Sequence, residues 1–270
     1  MRCHYLSDLH LEAQDFEHRL PAGDVLIIAG DLCNARCLAA PSADRYSSEQ
    51  RDRVLGFIDR AVANFTDVLL VAGNHEHYDG LYEETDGLLR RLLPGVTVLN
   101  NDFVEIGGVR FFGSTFWTDF NDGNVSTMSG LRRKIGEYFF VKTRTGADTI
   151  GIRKFQPEDA LREHHIARRS LRQMLDADRQ TPTVVVTHHA PSHLGLNPLA
   201  GTSELNPAYA SSLDDEIADF NNIHVWVHGH THIARQYRIG KTMVCSNAYG
   251  FAAKGRAVPQ FSAAASFDLR

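Results

Sequence analysis

A chain of 270 residues, 43% of them hydrophobic, carries enough apolar material for a sizeable core, and no linker-like stretch divides it, so one domain over 1–270 is expected. Lys and Arg number 28 against 33 Asp and Glu; the formal net charge of −5 disfavours a protein that grips nucleic acid over an extended surface. Cys3, Cys33, Cys37 and Cys245 are too few and too scattered for a disulfide framework, and no second pair completes a zinc site around Cys33 and Cys37. Free thiols in a reducing cytoplasm are the expectation. The N-terminus MRCHYLSDLHLE has no apolar signal core and no run is long enough to span a bilayer, so no membrane association is expected.

In chain order, RCHYLS (2–7) reads as a strand. DVLIIAGD (24–31) is a near-continuous apolar run closed by a turn, the pattern of a strand buried on both faces. Helical spacing runs through 48–64 at Val54, Leu55, Ile58, Ala61 and Val62. DVLLVAGN (67–74) repeats the strand pattern, and YEETDGLLRRLLPG (82–95) is a helix stopped by Pro-Gly. VTVLN (96–100) and FVEIGGVRFFGST (103–115) are β elements, with Gly-Gly marking a hairpin.

Residues 116–156 show no clear periodicity and read as an irregular insertion over a site, because a long structureless segment inside a domain usually serves a function. Phe116 and Trp117 at its start either stack on a substrate base or anchor the insertion. Arg132, Arg133 and Lys134 form a solvated loop or a phosphate clamp. PEDALREHHIARRSLRQMLDADR (157–179) is a helix with Pro at its start, acids in the first turn, and Ala160, Ala167, Leu171, Met174 and Leu175 on one face. His164 and His165 within it read as surface or packing residues. TVVVTHHAP (183–191) is a further buried strand, 192–211 a Gly/Pro/Asn/Ser-rich loop, and a short helix lies near 212–220. IHVWVHGHTH (223–232) is another strand, and ARQYRIGKTMVCSNA (234–248) a hairpin around Gly240 and Lys241.

The turns after these strands hold the chemistry. SDLH supplies Asp8 and His10, AGDL supplies Asp31, AGNHEH supplies Asn74, His75, Glu76 and His77, THHAP supplies His188 and His189, and HGHTH supplies His228, His230 and His232. Each is a weak signal alone. Strand ends converging on one sheet edge are where open α/β folds build sites, and here every turn carries carboxylate, amide or imidazole.

In order, the blocks are D-x-H, G-D, G-N-H-E, a buried strand ending in His, and G-H-x-H. Together they resemble the calcineurin-like metallophosphoesterases over residues 5–232. The resemblance implies a four-layer α/β/β/α sandwich of two mixed β-sheets flanked by helices; the element pattern alone gives only α/β. It implies a dinuclear metal-dependent phosphoesterase, hydrolysing a phosphomonoester or phosphodiester by in-line attack of a hydroxide shared between two divalent ions about 3.5–4 Å apart. Asp8, His10 and His232 would bind the first ion, Asn74, His188 and His230 the second, and Asp31 would bridge both. His75 would be the unligated catalytic imidazole, suited to giving the leaving alkoxide its proton. Glu76 would orient or charge-balance a histidine. The mixed nitrogen and oxygen ligands are compatible with Mn, Fe or Zn. The expected partner is a small phosphorylated substrate; oligomeric state is not readable. The competing readings are a catalytically silent metal-binding scaffold of the same fold, and a nuclease of the same superfamily.

Two points stand apart from the pattern. Many members carry a second acid three residues after the bridging Asp, where this chain has Asn34. In THHAP, adjacent residues on an extended chain face opposite ways, so one histidine reaches the ion; His188 is favoured, with His189 beside the site. His230 and His232 can serve different ions only if the chain turns after Gly229. His228 is then a neighbour of the site or a packed strand residue, and His224 is ordinary. His77, Tyr78 and Asp79 either line the cleft or face solvent.

Overall fold

Alternation inside the central strands sets the layering. In the second strand Val25 and Ile27 pack into one apolar cluster and Leu26 and Ile28 into another, so the strand is buried on both faces. The computed structural model describes residues 1–40, 43–145, 151–198 and 201–269. Its strands are β1 (Arg2–Leu6), β2 (Gly23–Ala29), β3 (Phe65–Val71), β4 (Val96–Leu99), β5 (Asp102–Ile106), β6 (Val109–Ser114), β7 (Lys142–Arg144), β8 (Ile152–Lys154), β9 (Thr183–Thr187), β10 (Ile223–His228), β11 (Ala234–Ile239), β12 (Thr242–Asn247), β13 (Gly250–Phe251), β14 (Arg256–Ala257) and β15 (Ser266–Asp268). Its helices are α1 (Ala35–Leu38), α2 (Arg45–Asn64), α3 (Thr85–Leu92), α4 (Phe120–Gly123), α5 (Val125–Leu131), α6 (Glu137–Phe140), α7 (Pro157–Ala177) and α8 (Asp214–Ala218).

Among the described residues two large sheets form, in the orders β15-β1-β2-β3-β4 and β11-β12-β10-β9-β6-β5. Both are mixed. β1 to β4 run parallel with β15 antiparallel at the edge; β6, β9, β10 and β12 run parallel, flanked by antiparallel β5 and β11. The sheets meet through Cys3, Val25, Ile27, Leu69 and Val71 on one side and Phe111, Val184, Val186, Val225 and Val227 on the other. Outside the first sheet, α2 applies Val54, Phe57, Ile58 and Ala61 to Leu26, Ile28 and Leu70. Outside the second, Ala167, Leu171, Met174 and Leu175 of α7 cover Phe112, Val185 and Trp226. The result is an α/β/β/α sandwich, as the motif order implied.

The two hairpins form as read, Ile106 pairing Val109 and Ile239 pairing Thr242. The α7 helix begins at Pro157, where Asp159 accepts the backbone N–H of Gln156 and closes the first turn.

The reading of 116–156 as irregular is corrected. The stretch holds α4, α5, α6 and the β7–β8 hairpin, and it has its own apolar cluster of Trp117, Phe120, Met128, Leu131, Ile135, Tyr138, Val141 and Phe155. Its periodicity was unreadable because the elements are too short for a repeat, and α4 is a turn in the left-handed region, with φ of 57° and 58° at Asn121 and Asp122. Residues 146–150 of this stretch, and 199–200 of the loop after β9, lie outside the described residues. Among the described residues no helix is long and apolar enough to cross a membrane.

Candidate metal centre

The parallel strands β1, β2 and β3 of one sheet and β9 and β10 of the other end at a common edge, and every expected site residue sits in the turn just beyond one of them. These turns are sharp. Asp8, His10, Asp31, His230 and His232 have φ of 56°, 49°, 54°, 64° and 49°, a region that costs a non-glycine residue about 1–3 kcal/mol. The kinks swing five side chains inward together.

Two glycines make the approach possible. A Cβ on Gly229 would meet the Ala29 carbonyl, the Asp8 carboxylate and Ser7, each at 2.8 Å. A Cβ on Gly73 would overlap the Asp31 carboxylate. The chain does turn after Gly229: β10 stops at His228, and the backbone N–H of His230 then donates to both Asp8 oxygens at 3.1 and 3.2 Å.

Donor atoms gather in two groups, which a third, of His10, Asp31 and His75, ties together. Asp8, His10 and His232 bring one donor atom each within 4.8 Å of one another, and Asp31, His188 and His230 do the same. In the first group His10 Nε2 lies 3.2 Å from His232 Nε2, which in turn is 3.3 Å from Asp8 Oδ1. In the second, His188 Nε2 lies 2.9 Å from Asn74 Oδ1 and 3.4 Å from Asp31 Oδ1. In this second group the other polar atoms of His188 and Asn74 are committed elsewhere. The Nδ1–H of His188 donates to the Ala29 carbonyl at 2.9 Å, and the Asn74 amide donates to Tyr78 Oη at 3.1 Å, so Nε2 and Oδ1 both face the site. Asp8, His10, Asp31 and His188 are at most 1% exposed.

Lone pairs facing one another in a buried site are repulsive unless something positive lies between them. In the ion-free protein, protons fill that role. Burial opposes a charge on His188, but Asp31 outweighs it and raises the ring to about 10. Burial likewise opposes charge on Asp31, yet His188 and His75 hold it well below the usual carboxylate range. A donor set of imidazole nitrogens, carboxylate and amide oxygens, with the second polar atoms of His10, His188 and Asn74 already engaged, fits divalent transition metals.

His188 is the histidine that reaches Asp31. His189 turns the other way, as adjacent residues on an extended chain do, and its Nδ1–H donates to the Thr115 carbonyl at 3.1 Å. Its remaining nitrogen joins His230 and Glu137 in a further group of donor atoms within 4.8 Å. Burial, then His188, lowers His189 to about 3, and burial pushes Glu137 up to about 7.

His75 belongs to the linking group, with His10 and Asp31. Its backbone N–H donates to Asp31 Oδ1 at 2.9 Å, its ring stacks on Tyr78 with centroids 4.4 Å apart, and Nε2 lies 4.0 Å from Asp31 Oδ2. Burial works against protonation, but Asp31 and then Glu12 raise the ring to about 9.

Glu76 does not orient a histidine. Its carboxylate accepts the backbone N–H groups of Asp31, Leu32, Cys33 and Gly73 at 3.0, 2.6, 3.0 and 2.6 Å, and so builds two of the ligand turns. The residue against the histidines is Glu12, whose Oε1 accepts Nδ1–H from both His10 at 3.0 Å and His75 at 2.8 Å. The stretch SDLHLE had shown an acid two residues past His10, but spacing alone gave it no partner. Asn34 caps α1, accepting from Arg36 N at 3.1 Å, and its amide donates to Asp79 at 3.3 Å.

The remaining polar residues are structural. His77 is buried, with Nδ1 2.9 Å from Thr85 Oγ1, and does not line the cleft. His164 packs under the insertion with its Nδ1–H on the Phe116 carbonyl at 2.9 Å, and His165 is exposed. His228 is buried against Tyr237, and His224 is exposed. Phe116 and Trp117 are 1% and 2% exposed, so they anchor the insertion and stack on nothing from outside.

A cavity of about 400 Å³ opens over the site. Asp31, Asn74, His75, His230 and His232 form its floor; Tyr78, Tyr209 and Phe251 form its walls; Lys134, Glu137 and Arg256 come from the insertion and from the C-terminal hairpin β13–β14.

The calcineurin-like phosphoesterase family profile matches residues 1–234, and the chain belongs to that family. An uncharacterised protein, L509, of Acanthamoeba polyphaga mimivirus is 23% identical over 92% of this chain and 90% of its own length. Among solved structures, the phosphopantetheinyl hydrolase PptH of Mycobacterium tuberculosis superposes with a TM-score of 0.66 at 17% identity, covering 98% of this chain and 95% of that one. A putative 5'-nucleotidase from Staphylococcus aureus gives a TM-score of 0.48 at 16% identity, over 91% of this chain and 48% of that one.

Proposed function

We propose that this protein is a two-metal hydrolase of a small phosphorylated substrate, a phosphomonoester or a phosphodiester. One observation carries the reading: donor atoms of Asp8, His10 and His232 and of Asp31, His188 and His230 form two groups, tied together through His10 and Asp31 by a third that includes His75, and residues of all three line an open cavity. Asp8, His10 and His232 would hold one ion, Asn74, His188 and His230 the other, and Asp31 would bridge them. The ions, of Mn, Fe or Zn, would supply the positive charge that phosphoryl oxygens need and the means to activate the attacking water.

The chain's own residues do the rest. The Asp31 carboxylate would offset repulsion between two bound cations. Glu76 fixes the Asp31 and Asn74 turns, so the ligand atoms are in place before any ion or substrate arrives. His75 presents Nε2 beside Asp31 at the cavity floor. As the ester P–O bond breaks and its electron pair passes to the leaving oxygen, that Nε2 gives the oxygen a proton. The ring then keeps its Nδ1–H on Glu12.

The cavity favours a small substrate. Lys134 and Arg256 are the cations at its rim, and Lys134 is already paired with Glu204. The net charge of −5 adds no reason to expect extended nucleic-acid binding. Among the described residues Cys3, Cys33, Cys37 and Cys245 are unpaired, which supports a reducing, cytoplasmic location. The test is a panel run with manganese, iron and zinc in turn: p-nitrophenyl phosphate, bis(p-nitrophenyl) phosphate, phosphopantetheine-bearing esters and single-stranded DNA. Metal-dependent turnover of a small ester is expected. No turnover with any metal would sink the hydrolase, and turnover of DNA alone would replace it with a nuclease.

A further inference from the structure

Glu12 holds a position that the family reading left unassigned. Its carboxylate is buried, and Oε1 is the sole side-chain acceptor facing the Nδ1 atoms of both His10 and His75 among the described residues. Its other oxygen is buried without a hydrogen-bond partner. The charge of this carboxylate is therefore satisfied by two imidazole N–H groups and by nothing else on its side chain. The main chain around it is clamped from α2: Arg53 donates to the Leu11 carbonyl at 2.6 Å and to the Glu12 carbonyl at 3.0 Å.

We propose that Glu12 is a positioning residue with two duties, fixing through one oxygen both a ligand of the first ion and the proton-donating histidine. This rests on the hydrolase reading above. An imidazole whose Nδ1–H is held by a carboxylate must use Nε2 for its other work. For His10 that work is ion binding, and its Nε2 accordingly faces His232 Nε2 at 3.2 Å. For His75 it is proton donation, and its Nε2 lies 4.0 Å from Asp31 Oδ2 over the cavity floor. The two rings touch edge to face with centroids 4.5 Å apart, so neither can turn without disturbing the other. Removing Glu12 therefore degrades ion retention and leaving-group protonation together, whereas removing His75 degrades only the second.

The experiment compares the wild type with Glu12→Leu, Glu12→Gln and His75→Ala. Manganese is titrated into chelator-treated protein by calorimetry. Hydrolysis at saturating manganese is then measured for p-nitrophenyl phosphate, whose leaving group needs no proton, and for phenyl phosphate, whose leaving group does. In Glu12→Leu one of the two ions should bind roughly 10–100-fold more weakly. Phenyl phosphate turnover should fall several-fold further than p-nitrophenyl phosphate turnover. His75→Ala should share the second change and bind both ions normally. Glu12→Gln has the same size and keeps an acceptor while losing the charge; it should shift both readouts in the same direction by less, and it carries the test if the leucine variant does not fold. Wild-type ion affinities together with an unchanged leaving-group dependence would overturn the proposal, since a merely structural role moves neither. The titration arm reads Glu12 even if no ester is turned over, so failure of the hydrolase reading is separable from failure of this one.

Discussion

Glu76 Oε2 accepts the backbone N–H of Asp31 at 3.0 Å, so the acid that follows His75 builds the turn of a carboxylate 45 residues earlier. Three further amides, of Leu32, Cys33 and Gly73, point at the same carboxylate. Glu76→Ala leaves four backbone donors without a partner in a buried site. An unsatisfied buried donor costs about 1–3 kcal/mol, and partial relaxation reduces the total. A loss of roughly 3 kcal/mol or more in urea unfolding of chelator-treated protein is expected. A loss under about 1 kcal/mol would show that the turns hold without Glu76.

His188 and His189 are neighbours with opposite duties. His188 Nε2 is 3.4 Å from Asp31 Oδ1, whereas His189 is tied to the Thr115 carbonyl. His188→Ala should bring the metal content at saturation down from two ions per chain to one and remove hydrolysis. His189→Asn should keep two. Asp31→Ala should also lose the second ion, because it removes the one carboxylate grouped with both His188 and His10. Metal analysis after dialysis against manganese decides; two ions in His188→Ala, or one in His189→Asn, reverses the assignment.

The folding elements that were legible in sequence are those with length or alternation. β2, β3, β9 and β10 announce themselves as apolar runs ending in turns, and α7 by its proline, acids and apolar face. The edge strand β15 and the hairpin β13–β14 were missed, since two or three residues carry no period. At the site the motifs place Asp8, His10, Asp31, Asn74, His75, His188, His230 and His232 together, because each follows a parallel strand of the same edge. The partners of those residues were not legible. Glu12 meets His75 across 63 residues and Glu76 meets Asp31 across 45, so only the folded turns reveal who faces whom.

Ion-free protein should be most stable near pH 6.5, and the sign differs on the two sides. His77 and His164 are buried neutral rings lowered, by burial first, to about 3 and about 4. Below ~6.5 the unfolded chain takes up their protons and the folded one does not, so stability falls as pH falls. His188 and His75 are raised to about 10 and about 9. Their contribution is fully present below ~6.5 and is lost as pH rises through the folded values. Each such group changes stability by roughly 1 kcal/mol per pH unit inside its window. Urea midpoints at pH 5, 6.5 and 9 in chelator should therefore peak in the middle. Saturating manganese should flatten the alkaline limb, since a ligating His188 carries no proton on Nε2. A midpoint that climbs steadily from pH 5 to pH 9 in chelator would contradict the paired protonation of His188 and Asp31.

Arg256 is the cation that the cavity rim leaves open for substrate. It is the register partner of Phe251 in β13–β14, Phe251 stacks on the His10 ring with centroids 3.9 Å apart, and both Phe251 and Arg256 line the cavity. Lys134, which also lines the cavity, is engaged by Glu204 at 2.5 Å. The test uses a substrate with a second anionic group, such as a sugar bisphosphate, whose extra phosphate Arg256 would take. The side chain is exposed, so the contact is screened and worth no more than about 1 kcal/mol. Arg256→Ala should raise KM for a bisphosphate roughly two- to fivefold, leave its kcat unchanged, and leave p-nitrophenyl phosphate unaffected. The difference should shrink in 0.5 M salt. An equal rise in KM for both substrates would place Arg256 on the reacting phosphate instead, and a fall in kcat would mean that the hairpin positions His10 rather than the substrate.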